Sequence, residues 1–164
     1  MSREPDAKVS RDRILRALKL KAINLYPPFL GAGIRVRRSP DGLGFAVRMR
    51  LGPLNRNYVG THFGGSLYSM CDPFFMLILI HALGPEYVVW DRSATIRFLR
   101  PGRGTVRARF HVLENRIEEI RREADATGKA EPEFTARVLG EDGEVVAEVD
   151  KTLYVRRRRA QHGA

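Results

Sequence analysis

The sequence predicts an α+β domain in which one curved antiparallel sheet wraps a long central apolar helix, with an extra helix at the N-terminus. Three observations predict it. Segments on both sides of residues 65–83 alternate apolar and polar side chains with a period of two, the pattern of half-buried strands. Between them lies one stretch that is apolar nearly all round. Clusters of glycine, proline and aspartate punctuate the strand segments at short intervals.

Taken in order, Ser10 is placed to cap a helix from about Asp12 to Leu25, within a segment of about residues 10–26. Ile14, Leu18, Ala22 and Leu25 share its apolar face, and Tyr26-Pro27-Pro28 ends it. The period then changes to two. Residues 33–51 read as two strands around the turn Ser39-Pro40-Asp41-Gly42, with Phe45, Val47, Met49 and Leu51 on one side. The apolar helix follows. From Gly65 to Leu83 it would extend roughly 28 Å at 1.5 Å per residue. Leu67, Met70, Phe74, Phe75, Leu77, Ile78 and Ile80 cover more than one of its faces, so it needs cover on all sides. One sheet covers part of it. The expected remainder comes from the N-terminal helix or from a second subunit.

A strand over residues 86–99 leads through Arg100-Pro101-Gly102-Arg103-Gly104 into another, where Val106, Ala108, Phe110 and Val112 alternate with outward Thr105, Arg107, Arg109 and His111. Residues 114–132 are ambiguous in period: they can begin as strand and end as a short charged helix, closed by Thr127, Gly128 and Pro132. Two strands joined by Glu141-Asp142-Gly143 complete the chain. The expected division is a single domain over residues 1–155 and a basic, disordered tail over 156–164.

Composition narrows the function classes. A chain of 164 residues with 43% hydrophobic content supports one sizeable core. Its apolar run is too short for a span of roughly 20 residues, and the charged N-terminus carries no secretory pattern, so the expectation is a cytoplasmic protein without a membrane span. The single Cys71 fits a reducing compartment and reads as a small core residue. No cofactor or metal site is expected. The net charge is +10, and removing the four arginines Arg156–Arg159 leaves +6 (10 minus 4), so the body itself is basic. Such a surface attracts nucleic acid, anionic membrane or a phosphorylated ligand such as coenzyme A. No zinc-finger, RNP-like or Walker pattern is present, so no specific nucleic-acid partner is expected.

The stretch Asn57-Tyr-Val-Gly-Thr-His62-Phe63-Gly64-Gly65-Ser66-Leu-Tyr-Ser69-Met-Cys-Asp72 runs from a polar glycine turn into the apolar helix. Together with residues 88–110 it resembles the hotdog family labelled DUF4442, a relative of the PaaI-type acyl-CoA thioesterases. The resemblance covers the chain from about the first helix to Val155. In PaaI-like enzymes an Asn precedes a His-Gly-Gly turn, and an Asp lies seven residues after the second Gly. Those positions fall here on Asn57, Gly64, Gly65 and Asp72. Phe63 stands between His62 and the glycines, which departs from that pattern.

The resemblance implies a thioester hydrolase whose substrate is an acyl-CoA or similar thioester, with coenzyme A entering only as part of the substrate. The Gly65 amide would stabilise the oxyanion. Asp72 would be either the general base or a nucleophile forming a mixed anhydride. Asn57 would hold the water or the carbonyl, with the Asp and the Gly turn supplied by different subunits of a dimer or tetramer. His62, Phe63, Gly64, Ser66 and Ser69 lie near enough to contact substrate, and Arg100 and Arg103 are candidates for the phosphates. The bland reading of Asp72 is an N-cap before Pro73, on a helix that Pro73 kinks in either case. His62 and His81 read as hydrogen-bonded structural histidines, and His111 and His162 as surface residues. Asp91 reads as a partner of Arg92 or of an arginine across the sheet. Two further readings belong to other classes: a non-catalytic acyl or lipid-like ligand binder, and a basic nucleic-acid or membrane-surface binder.

Overall fold

The structure, a computed structural model, describes residues 22–158. The expected N-terminal helix falls almost entirely outside them; its last residues, Ile23–Leu25, form a single 3-10 turn. Tyr26 ends that turn, as expected, and Tyr26-Pro27-Pro28 also begins a new helix, which was not expected. Proline at the first helical positions needs no N–H partner, and helix α1 runs Pro27–Ala32.

Six strands form one antiparallel sheet: β1 (Ile34–Arg38), β2 (Gly44–Arg50), β3 (Tyr87–Phe98), β4 (Thr105–His111), β5 (Glu133–Leu139) and β6 (Val145–Arg157), in the order β1-β2-β4-β5-β6-β3. The β1–β2 hairpin pairs Val36 with Val47 and turns at Gly42, whose φ of 74° lies in the left-handed region that glycine enters freely. The alternation is realised: Phe45, Val47 and Met49 of β2 and Val106, Ala108 and Phe110 of β4 are buried while their neighbours face outward.

The central apolar segment is two helices, α2 (Gly64–Ser69) and α3 (Phe74–Leu83), not the continuous helix of residues 65–83. Pro73 offers no N–H and crowds the preceding turn, so residues 70–73 leave the helix and α3 starts afresh. Phe74 anchors the core, its ring centroid 4.8 Å from Phe110, 5.2 Å from Phe45 and 6.1 Å from Phe29. The whole stretch Gly64–Leu83, 20 residues, is by length and composition apolar enough to cross a membrane; here it packs against the sheet.

Residues 114–127 are helical throughout, as α4 (Glu114–Thr127), which resolves the ambiguous segment. Ile117, Ile120 and Ala124 are buried, and Arg121 donates to the carbonyls of Ala82 and Leu83 at 3.2 and 3.4 Å. Part of the cover for the central helix is therefore intramolecular. The sheet also extends further than expected: β6 runs to Arg157, so Arg156 and Arg157 are strand residues and not tail.

Candidate active site

Asp72 sits in the break between α2 and α3. It does not cap α3, which has no side-chain cap hydrogen bond. Instead, Lys151 Nζ donates to both the Asp72 carbonyl and Asp72 Oδ1, the latter at 3.1 Å. The same Nζ donates to Asp91 Oδ2 at 2.8 Å. Lys151 occupies an inward position of β6, in line with Ala147, Val149, Leu153 and Val155, and its side chain is 0% exposed. Asp91 reaches it because it continues the inward alternation of Tyr87 and Val89 on β3. The bulge that follows, between Asp91 and Ser93, shifts the register so that Ala94 and Phe98 take the inward positions, and Arg92 pairs with Glu131. The expected partners of Asp91 are thus replaced by a buried lysine.

Electrostatics follow from this burial. Desolvation pushes the Asp91 carboxyl above its ordinary range, opposed by its hydrogen bond to Lys151. Burial raises the Tyr68 phenol, and a hydrogen bond to Asp72 raises it further; the Tyr68 ring lies 5.7 Å from Lys151 Nζ. Cys71, buried beside the pair, has its thiol pushed up to about 12, so it is a core residue and no nucleophile. Asp72 itself stays open, with 45% of its side chain exposed. It lines an apolar groove of about 960 Å³ with Tyr68, Ser69, Met76, Leu77 and Ile80.

The glycine turn lies elsewhere. Asn57 Oδ1 accepts from the Val59 and Thr61 N–H groups at 3.1 and 2.9 Å, and Nδ2 donates to Thr61 Oγ1 at 2.9 Å, so Asn57 fastens the turn. His62 is buried; its Nε2–H donates to the Gly104 carbonyl at 3.1 Å while Nδ1 has no partner. The amides of Gly64 and Gly65 open α2 and have no intrahelical acceptor. Both glycines are packed by rings: a Cβ at Gly64 would lie 2.9 Å from Phe98 Cζ, and one at Gly65 2.4 Å from Phe63 Cε1. Ser66 is buried, and Ser69 Oγ donates back to the Gly65 carbonyl at 2.8 Å. Asn57, His62, Gly64, Arg100 and Arg103 together line a second cavity of about 710 Å³. Arg100 donates to Asp142 at 2.5 Å, which leaves Arg103 as the less committed cation.

The chain matches the family model described as "Domain of unknown function (DUF4442)" over residues 15–155. It belongs to that family. No curated protein matches the DUF4442 chain. Among solved structures it is similar to a Pseudomonas aeruginosa protein of unknown function named a probable thioesterase, at 27% identity and TM-score 0.68, covering 77% of this chain and 85% of that one. It is also similar to a Chlorobaculum tepidum protein of unknown function, at 18% identity and TM-score 0.70, covering 90% and 96%. A Haemophilus influenzae thioesterase matches at 15% identity and TM-score 0.58, covering 82% and 86%. These likenesses establish the hotdog fold that the resemblance implied.

Within one DUF4442 chain the expected site residues that line a cavity divide between two, and Phe63, Gly65 and Ser66 line neither. Asp72 and Ser69 line the first; Asn57, His62, Gly64, Arg100 and Arg103 line the second. The residues that sequence reasoning missed are Lys151 and, as its partner, Asp91. Lys151 carried a signal: it is the one charged residue at the inward positions 147–155 of β6. Asp91 carried little, because Tyr87-Val88-Val89-Trp90 before it is apolar at every position and does not tell which alternate residues face inward.

His62 gives a pH prediction. Burial lowers its pKa from the model-compound 6.5, against the raising effect of the Gly104 carbonyl. Its neutral form therefore contributes stability that is present above 6.5 and lost as pH falls through the lower folded value. His62→Gln, which retains a donor for Gly104, is expected to flatten the loss of melting temperature between about pH 6.5 and 5. An unchanged slope rules out His62 as its source.

Proposed function

We propose that this DUF4442 protein is an acyl-thioester hydrolase acting as a dimer, with Asp72 activating the attacking water and the partner subunit's Gly65 amide holding the oxyanion. The observation that carries the reading is an aspartate at a helix break, half open to an apolar groove and held from behind by a buried lysine. Lys151 engages Oδ1 and Tyr68 hydrogen-bonds the same carboxylate, so Asp72 is held in place to take a proton from water in the groove. Water oxygen bonds to the thioester carbonyl carbon as its proton passes to Asp72, and the oxyanion forms against a free helix-terminal amide. Collapse breaks the carbon–sulfur bond, and the thiolate recovers the proton from Asp72. Arg103, with Arg100 beside it, is suited to the phosphates of coenzyme A.

The dimer is argued from surface. β3 is an edge strand of the sheet, and its inward-facing Ala94 and Phe98 are exposed because nothing among the described residues covers them. Phe98 is 56% exposed, Phe63 56%, Leu99 57% and Val59 74%, an apolar patch beside the glycine turn. A second copy placed there covers that patch and brings one chain's glycine turn toward the other's Asp72.

A second reading, ligand binding without turnover, rests on Phe63, whose ring occupies the space beside the Gly65 Cα. Thiol release from acyl-CoAs of graded chain length, aryl groups included, separates the two. Hydrolysis of one chain class by a dimeric species supports the hydrolase. Binding of acyl-CoA with no thiol release across the panel leaves the binder.

A further inference from the structure

The outer face of the sheet is divided in charge. On the β3–β5–β6 half the arginines, Arg156 excepted, have an acid: Arg97 meets Glu148 and Asp150 at 2.6 Å, and Arg137 meets Glu148 at 2.8 Å. Arg92 and Arg157 pair with Glu131 and Asp125. On the β1–β2–β4 half the outward positions hold Arg35, Arg37, Arg48, Arg107 and Arg109, all exposed, and none forms an ion pair among the described residues.

Register sets these arginines side by side. Arg35 pairs with Arg48 and Arg48 with Arg107, a row of like charges directly opposite one another on three strands. In the next row Ala46 stands between Arg37 and Arg109. Its small side chain floors a hollow of about 410 Å³ walled by arginines. Directly opposed like charges destabilise a sheet. Glu141 approaches from the rim, where its Oε1 accepts from the Thr105 N–H and its charge is felt by Arg107 and Arg50 without an ion pair.

We propose that this face binds the phosphate backbone of a nucleic-acid duplex, without reading sequence. Guanidinium forks match phosphate oxygens bidentately, and rows of outward residues about 4.8 Å apart between strands and 6.8 Å along them offer several at once. The chemistry selects the duplex. Single-strand binders add aromatic stacking platforms, and the only stacked outer pair among the described residues, Trp90 and Tyr154 at 4.5 Å, lies at the opposite end of the sheet. Membrane-surface binding adds apolar side chains for insertion, and the arginine rows contain none larger than alanine.

The test is titration of the full chain against a fluorescent 20-base-pair DNA duplex at several salt concentrations. Wild type should bind with a slope of log K on log salt near −4, about −0.9 for each of about four phosphates. Arg37→Gln/Arg48→Gln/Arg107→Gln/Arg109→Gln should weaken binding at least tenfold and flatten the slope. The variant should melt no lower than wild type, since it relieves repulsion. A control with the same net charge, Arg92→Gln/Arg97→Gln/Arg137→Gln/Arg157→Gln, should keep most of the affinity. Equal loss in the control, no loss in the first variant, or binding to phosphatidylserine vesicles or polyglutamate in place of the duplex overturns the proposal. None of these outcomes depends on thioester hydrolysis.

Discussion

Asp72→Asn is expected to lower kcat/KM for thioester hydrolysis by about 10²–10⁴-fold, the usual contribution of a positioned general base. The change is nearly isosteric. Asparagine Oδ1 still accepts from Lys151, so the break before Pro73 keeps its tie to β6, while the carboxylate that takes the water's proton is gone. Lys151 retains Asp91 at 2.8 Å and is not left unpaired. Loss of one half-exposed ion pair should lower the melting temperature by only about 2–4 °C, the shift that about 1 kcal/mol produces in a domain of this size. Steady-state kinetics and calorimetry on the same preparation check both parts. A variant as active as wild type removes Asp72 from the chemistry and leaves it as a tether for the helix break. A variant that is inactive but unfolded says nothing about the base, which is why the melting curve belongs to the experiment.

How much of this was legible in the sequence depends on the range of the interaction concerned. The strands of the β1–β2 hairpin, and β4 with its buried Val106, Ala108 and Phe110, were readable because period-two alternation is local and the buried face is single. Pro73 announced the kink but not its extent, since a proline in a helix bends or ends it according to what waits on the far side. Here Lys151, 79 residues away, holds the Asp72 carbonyl that the break exposes. The segment 114–127 was ambiguous because its charged residues outnumber the apolar ones. Ile117, Ile120 and Ala124 still mark one helical stripe, and the tertiary contact with α3 decides the matter.

The candidate site was legible as residues and not as geometry. Asn57, the glycine pair and Asp72 stand in the expected order, yet one chain places Asn57 and Gly64 in one cavity and Asp72 in another. Asn57 and His62 are spent on the turn itself, which sequence spacing cannot distinguish from contact with substrate. Asp91 shows the limit most plainly. Tyr87-Val88-Val89-Trp90 is apolar at every position, so a period of two does not say which alternate residues face inward. In the structure Tyr87 and Val89 do, and Asp91 follows them to meet the buried lysine. The bulge at Arg92 then brings Ala94 and Phe98 to that face.

Lys151→Met is the substitution expected to damage the fold most, by about 3–5 kcal/mol, because it leaves carboxylates in the interior without their cation. Methionine fills nearly the same volume, so packing against Val149 and Leu153 changes little and the loss reports on charge. Asp91 should dominate it, with 23% of its side chain exposed against 45% for Asp72, which can turn to water. The sign of the pH dependence follows. Burial already raises the folded pKa of Asp91, so its contribution is fully present below the unfolded value near 3.8 and is lost as pH rises through the folded value. Removing Lys151 removes the group that opposed that shift, and the window moves upward. The deficit of Lys151→Met measured by urea unfolding should therefore be smaller at pH 5 than at pH 8. Adding Asp91→Asn should recover part of it, with a coupling of about 0.5–3 kcal/mol, since the double variant has one buried carboxylate fewer to protonate or strand. Additive losses in the double variant, or a deficit independent of pH, mean that Lys151 stabilises the fold through its methylene chain and not through the ion pairs it makes.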